Sequence, residues 1–225
     1  MIDLLKQELP AHYGLHRSVV EVPAECTDEL RFDLADGHDT MIVAYGSGNV
    51  SFDRSCRTIV QVIGYEGYLN GWAGTGFERG RLRCDFIVYD AEKNGFFILN
   101  EQTSATGSIR NLQKPILDKK TGNVRFPGGK YEKVEAQLIE TLRTLKAVPD
   151  MEKFVRKVCL MSYILTCREE KDEVSEARRT FTVRYRQVEA RETGEDGALL
   201  VCPGLNAEGF EYRRISHGYS FCPEG

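Results

Sequence analysis

The stretch Arg83-Cys84-Asp85-Phe86-Ile87-Val88-Tyr89-Asp90-Ala91-Glu92-Lys93-Asn94-Gly95-Phe96-Phe97-Ile98-Leu99-Asn100-Glu101-Gln102-Thr103 decides how this chain is read. Two apolar runs flank Glu92-Lys93-Asn94-Gly95, a turn sequence, so the spacing predicts a β-hairpin. Each strand carries one carboxylate, Asp85 or Glu101, into apolar surroundings. Burying an acid there costs several kcal/mol unless a cation, a proton or a set of donors compensates it. Two acids converging from neighbouring strands are therefore a candidate metal site or acid/base pair.

Outward from the hairpin the chain alternates strand and helix signals. Ile2, Leu5 and Leu9 share one helical face, which predicts a short N-terminal helix ending at Pro10. Residues 17–23, 40–45 and 57–63 are β-branched and apolar and read as strands. A glycine- and aromatic-rich stretch, 64–77, follows them. Residues 104–129 lack periodicity, and a connection that long is usually functional or mobile. From Tyr131, the positions Val134, Leu138, Leu142, Leu145 and Val148 recur at helical spacing until Pro149 stops the helix. Residues 155–165 read as a buried strand, 168–179 as a solvated charge run, and 181–188, 199–202 and 210–215 as further strands.

At 225 residues the chain can bury a full core, and a formal net charge of −4 argues against non-specific coating of nucleic acid while permitting a local basic groove. Seven cysteines without a C-x-x-C pair specify neither a zinc knuckle nor a disulfide framework. Cys84 and Cys159 read as small buried hydrophobes suited to a reducing cytosol. No apolar run approaches the roughly 18 residues of a membrane span, so the expectation is a cytoplasmic protein with no membrane partner. His12, His16, His38 and His217 are scattered and support no nucleophile–base arrangement. Gly74-Thr75-Gly76 reads as a simple turn, whereas Ser104-Ala105-Thr106-Gly107-Ser108 suits an anion cradle or a flexible connection equally.

In order, the centre of the chain is a strand, a strand with Asp85, a strand with Glu101, a helix with Gln137 and a strand near Val158. This order resembles the PD-(D/E)XK, or restriction-endonuclease-like, superfamily over about residues 50 to 165. Asp85 matches the family's metal-binding Asp, and Glu101 its Glu at the end of the next strand. The family's lysine, two residues after the Glu, is Thr103 here. Lys130 or Lys133, near the start of the helix, would supply the ammonium from a relocated position, as in some members.

The resemblance implies an α+β or α/β fold with a mixed central β-sheet flanked by helices. Residues 1–167 would form the nuclease-like core, and 168–225 a β-rich C-terminal extension packed on it. It implies a Mg²⁺-dependent nuclease-like protein acting on phosphodiesters, with Asp85 and Glu101 as metal ligands and Thr103, Lys130 and Gln137 in support. Arg79, Arg81 and Arg83 would neutralise phosphates of a nucleic acid. Tyr65, Tyr68, Trp72 and Phe77 suit base stacking, but packing beneath the glycine-rich loop is the favoured reading. The alternative is a catalytically inactive subunit that binds nucleic acid or a protein partner, or forms a homo-oligomer, within a bacterial defence or mobile-element complex.

Overall fold

The computed structural model describes residues 1–15, 20–37, 39–147, 149–166 and 196–225. The strand expected at 17–23 falls partly outside them, and the charge run at 168–179, the strand at 181–188, Cys167, His16 and His38 fall wholly outside. A π-helical turn, Leu4–Glu8, leads into α1 (Leu9–His12), with Leu5 and Leu9 fully buried. Pro10 does not end this helix. It sits where the π-helical turn passes into α1, with Glu8 and Leu9 at helical backbone angles, and the helical run continues beyond it to His12.

Four short strands follow: β1 (Ala24–Thr27), β2 (Arg31–Leu34), β3 (Ile42–Val43) and β4 (Val50–Asp53). Only β3 falls within an expected strand, that of 40–45, and it is shorter. β5 (Val60–Gly64) runs directly into α2 (Tyr65–Asn70) within the glycine- and aromatic-rich stretch. The hairpin is formed by β6 (Phe86–Asp90) and β7 (Phe96–Thr106). Its turn is built by Asp90, whose carboxylate accepts the N–H groups of Glu92, Lys93 and Gly95 at 3.0, 3.0 and 3.1 Å. Residues 104–129 are more ordered than their composition predicts. They hold the end of β7, a 3₁₀ turn at Ile109–Leu112 and a small hairpin of β8 (Ile116–Leu117) and β9 (Val124–Phe126). α3 (Gly129–Leu145) is the expected helix, ending three residues before Val148. β10 (Arg156–Thr166) follows, and residues 196–225 supply β11 (Leu199–Leu200), α4 (Pro203–Asn206), β12 (Glu211–Ser216) and β13 (Ser220–Phe221).

The result is a mixed α+β architecture with few helices. A seven-stranded mixed sheet has the order β1-β5-β6-β7-β10-β12-β11, and a four-stranded sheet the order β13-β4-β2-β3. β5, β6 and β7 form an antiparallel meander, after which α3 crosses over so that β10 runs parallel to β7, with Leu160 opposite Asn100. β12 then adds parallel to β10.

The central strands are apolar on both faces because both are covered. Phe86, Val88, Phe96, Ile98, Val158 and Leu160 point toward the smaller sheet and meet Phe32, Phe52 and Phe221. Ile87, Tyr89, Phe97, Leu99, Cys159 and Met161 point the other way, into a core shared with α2, α3 and the N-terminal turns. This alternation puts Glu101, two residues beyond Leu99, on the helical face.

Candidate active site

Asp85 sits where β6 begins and the strands part. Its N–H donates to Asn100 C=O at 3.1 Å, and its own carbonyl receives Tyr65 N–H at 2.8 Å and Glu66 N–H at 3.3 Å from the start of α2. Its carboxylate takes over a lost ladder bond: Oδ2 accepts Gln102 N–H at 2.6 Å. The two acids thus stand beside one another on adjacent strands. Glu101 is 3% exposed, and its Oε2 has no hydrogen-bond partner.

α3 crosses this point with a polar stripe at helical spacing, Lys133, Gln137 and Thr141. Thr141 Oγ1 accepts Cys84 N–H at 2.9 Å, and Gln137 Nε2 donates to Arg83 C=O at 2.8 Å, so the stripe fixes the segment entering β6. Lys133, one turn earlier, acts on both acids through its charge. In the interior of an otherwise apolar-periodic helix, buried polar residues four apart are the signal that points to this face.

Burial raises the pKa of both carboxyls. For Asp85 the Gln102 N–H opposes the rise, the charges of Asp36 and Glu66 add to it, and Lys133 lowers it. For Glu101 the Asp85 charge is the next largest cause of the rise, while Lys133 and the nearby Gln137 amide favour the ionised form. Desolvation and mutual repulsion therefore outweigh the single ammonium. The pair favours uptake of positive charge, as a proton or as a metal ion.

The chain matches no family model, no curated protein and no solved structure. The reading of this site therefore rests on its own chemistry. Among the described residues, no three His, Cys, Asp or Glu side chains gather into a set able to enclose a metal ion by themselves. Mg²⁺ needs no such set, since it takes one or two protein carboxylates and keeps water and phosphate for the rest of its shell. The unpartnered Glu101 Oε2 is an oxygen available for such a role.

The other expected residues divide. Gln137 is at the site, 8% exposed, with Oε1 unpartnered. Thr103 is half-buried, opposite Tyr163 on β10, and borders a polar pocket of about 140 Å³ with Asp36, Asn49, Gln102 and Ser162. Lys130 Nζ donates to Ser104 C=O, so Lys133 rather than Lys130 is the lysine that acts on the acids. Arg81 bonds Glu140 at 3.2 Å and Thr144 at 2.8 Å; Arg83 bonds Glu66 at 3.3 Å, Glu78 at 3.1 Å and Asn70 at 2.7 Å. A phosphate would have to displace those carboxylates to reach either guanidinium. Arg79 is exposed. Tyr65, Tyr68, Trp72 and Phe77 are all buried, Tyr68 and Trp72 edge to face at 6.4 Å, as the packing reading expects. Asp36 and Glu66 went unnoticed in the sequence. They reach Asp85 only through space, from a loop and from α2, and no local pattern marks them.

Proposed function

We propose that the chain is a Mg²⁺-dependent phosphodiesterase of the restriction-endonuclease-like type, cutting a nucleic acid. The observation that carries this reading is the burial of two facing carboxyls, Asp85 just before β6 and Glu101 on β7 with its Oε2 unpartnered, beneath the α3 face that carries Lys133 and Gln137. The order β5-β6-β7-α3-β10, an antiparallel meander followed by a helical crossover to a parallel strand, supports the same likeness.

In this reading Asp85 and Glu101 hold the cation. A bound Mg²⁺ would supply Lewis acidity toward a phosphoryl oxygen and counter-charge for the transition state. Lys133 replaces the motif lysine that Thr103 lacks: its ammonium keeps both acids nearer ionisation and adds positive charge where the phosphate gains negative charge. Gln137, tied to Arg83 C=O through Nε2, leaves Oε1 free to accept a hydrogen bond from a water and orient it. Lys133 is what favours the enzyme over an inactive binding module, since it restores the cation that the β7 motif omits.

The test is cleavage of labelled duplex DNA, single-stranded DNA and RNA with Mg²⁺ or Mn²⁺, comparing wild type with Asp85→Asn and Glu101→Gln. Both substitutions keep the shape of the side chain. Wild type cleaves one of these substrates, and either variant loses at least about a hundredfold in rate. Equal cleavage by all three proteins overturns the reading.

A further inference from the structure

Between Arg110 and Arg125 the chain carries five cationic residues, Arg110, Lys114, Lys119, Lys120 and Arg125, against one acid, Asp118, in a protein whose formal net charge is −4. All five are exposed, and none forms an ion pair with a described residue. This differs from Arg81 and Arg83, whose charges are met by Glu140, Glu66 and Glu78. The lone acid is also occupied. Asp118 Oδ1 accepts Lys120 N–H at 2.9 Å, Thr121 N–H at 2.8 Å and Thr121 Oγ1–H at 3.1 Å, so it builds the turn of the β8–β9 hairpin.

The segment leading into the hairpin is held against the start of α3, one turn before Lys133. It passes so close that a Cβ on Gly129 would lie 2.4 Å from Leu112 O and 2.6 Å from Lys114 O. Arg125 lines a groove of about 310 Å³ together with Arg83, Glu66 and Gln137, the residues that surround the Asp85 segment. Arg125 therefore brings one of the hairpin's unpaired charges to the rim of the groove, where Arg81 and Arg83 are already met by Glu140, Glu66 and Glu78.

We infer that the β8–β9 hairpin is the surface that grips the phosphate backbone of a nucleic acid and leads it to the groove. The choice of partner rests on the proposed phosphodiesterase reading, whereas the surface itself follows from unpaired charge on an anchored element. Exposed lysines on a fixed hairpin bind a polyanion by releasing its counterions, with little dependence on base sequence.

Fluorescence anisotropy of short labelled duplex DNA, single-stranded DNA and RNA, in EDTA so that no cleavage intervenes, tests this on the full chain. The compared proteins are wild type, Lys114→Gln/Lys119→Gln/Lys120→Gln and, as a control, Lys93→Gln in the exposed β6–β7 turn, each checked for an unchanged thermal midpoint. Wild type binds at least one of the three nucleic acids. The triple variant loses about tenfold or more in affinity, and its slope of log affinity against log salt falls by about 0.7 to 0.9 per phosphate contact removed. Lys93→Gln leaves binding unchanged. No binding by wild type, or equal affinity in wild type and the triple variant, overturns the inference. Binding that depends on the hairpin in a protein that cleaves nothing upholds the surface and overturns only the hydrolytic reading.

Discussion

At the scale of single residues, the Asp85–Glu101 pair is a destabilising feature of the metal-free fold. A carboxyl whose folded pKa exceeds its unfolded value stabilises the fold below the unfolded value of about 4, where both states are protonated, relative to higher pH; that contribution is lost as pH rises through the folded pKa. Both acids are shifted upward. In EDTA, Glu101→Gln therefore gains on wild type as pH rises from about 5 to about 9, ending more stable by about 1 kcal/mol or more. Urea unfolding at several pH values checks this; a constant difference across the range would mean that Glu101 is not perturbed. Lys133 works in the opposite direction to burial. Lys133→Met moves the acid limb of the activity profile to higher pH and slows turnover by about tenfold to a hundredfold, while Lys130→Met leaves the limb in place. Asp85, Glu101 and Gln137 were legible in the sequence because a polar residue inside an apolar run must be accounted for. Lys133 was legible only as an alternative to Lys130, since two helical lysines three residues apart cannot be ranked without knowing where the helix lies on the sheet.

At the scale of elements, the hairpin of β6 and β7, helix α3 and strand β10 were readable because each is long and bounded by turn chemistry or proline. α2 was not, because Tyr65, Gly67, Tyr68 and Asn70 give weak helical propensity; burial of Tyr65, Tyr68 and Leu69 decides it. β1, β2 and β4 have four residues each, too few to display a period. The β8–β9 hairpin was hidden for a different reason. Its order comes from Asp118 and from the contact at Gly129, which combines φ +70° with backbone atoms at 2.4–2.6 Å from where a side chain would begin. Gly129→Ala should therefore destabilise the protein by about 2 kcal/mol or more, read by chemical denaturation, because alanine is strained at that φ and the packed backbone must move. A change within about 0.5 kcal/mol would show that the hairpin is not fixed to α3.

At the scale of the whole molecule, the seven-stranded sheet is the frame that brings the site together. Its two covered faces let apolar strands carry Glu101 inward beneath α3, while β12 and β13 join the C-terminal residues to both sheets. No helix among the described residues is long and apolar enough to cross a membrane. Because this frame buries the two acids, a cation that binds them in the native state must stabilise the entire fold by mass action. The most direct measurement is the thermal midpoint as Mn²⁺ is titrated into wild type and into Asp85→Asn/Glu101→Gln at a fixed, mildly alkaline pH. The wild-type midpoint is expected to climb with concentration, approaching about 2.7 kcal/mol of added stability at a hundredfold excess over the dissociation constant, while that of the double variant stays flat. An equal rise in both proteins, or none in either, would contradict a cation site at Asp85 and Glu101.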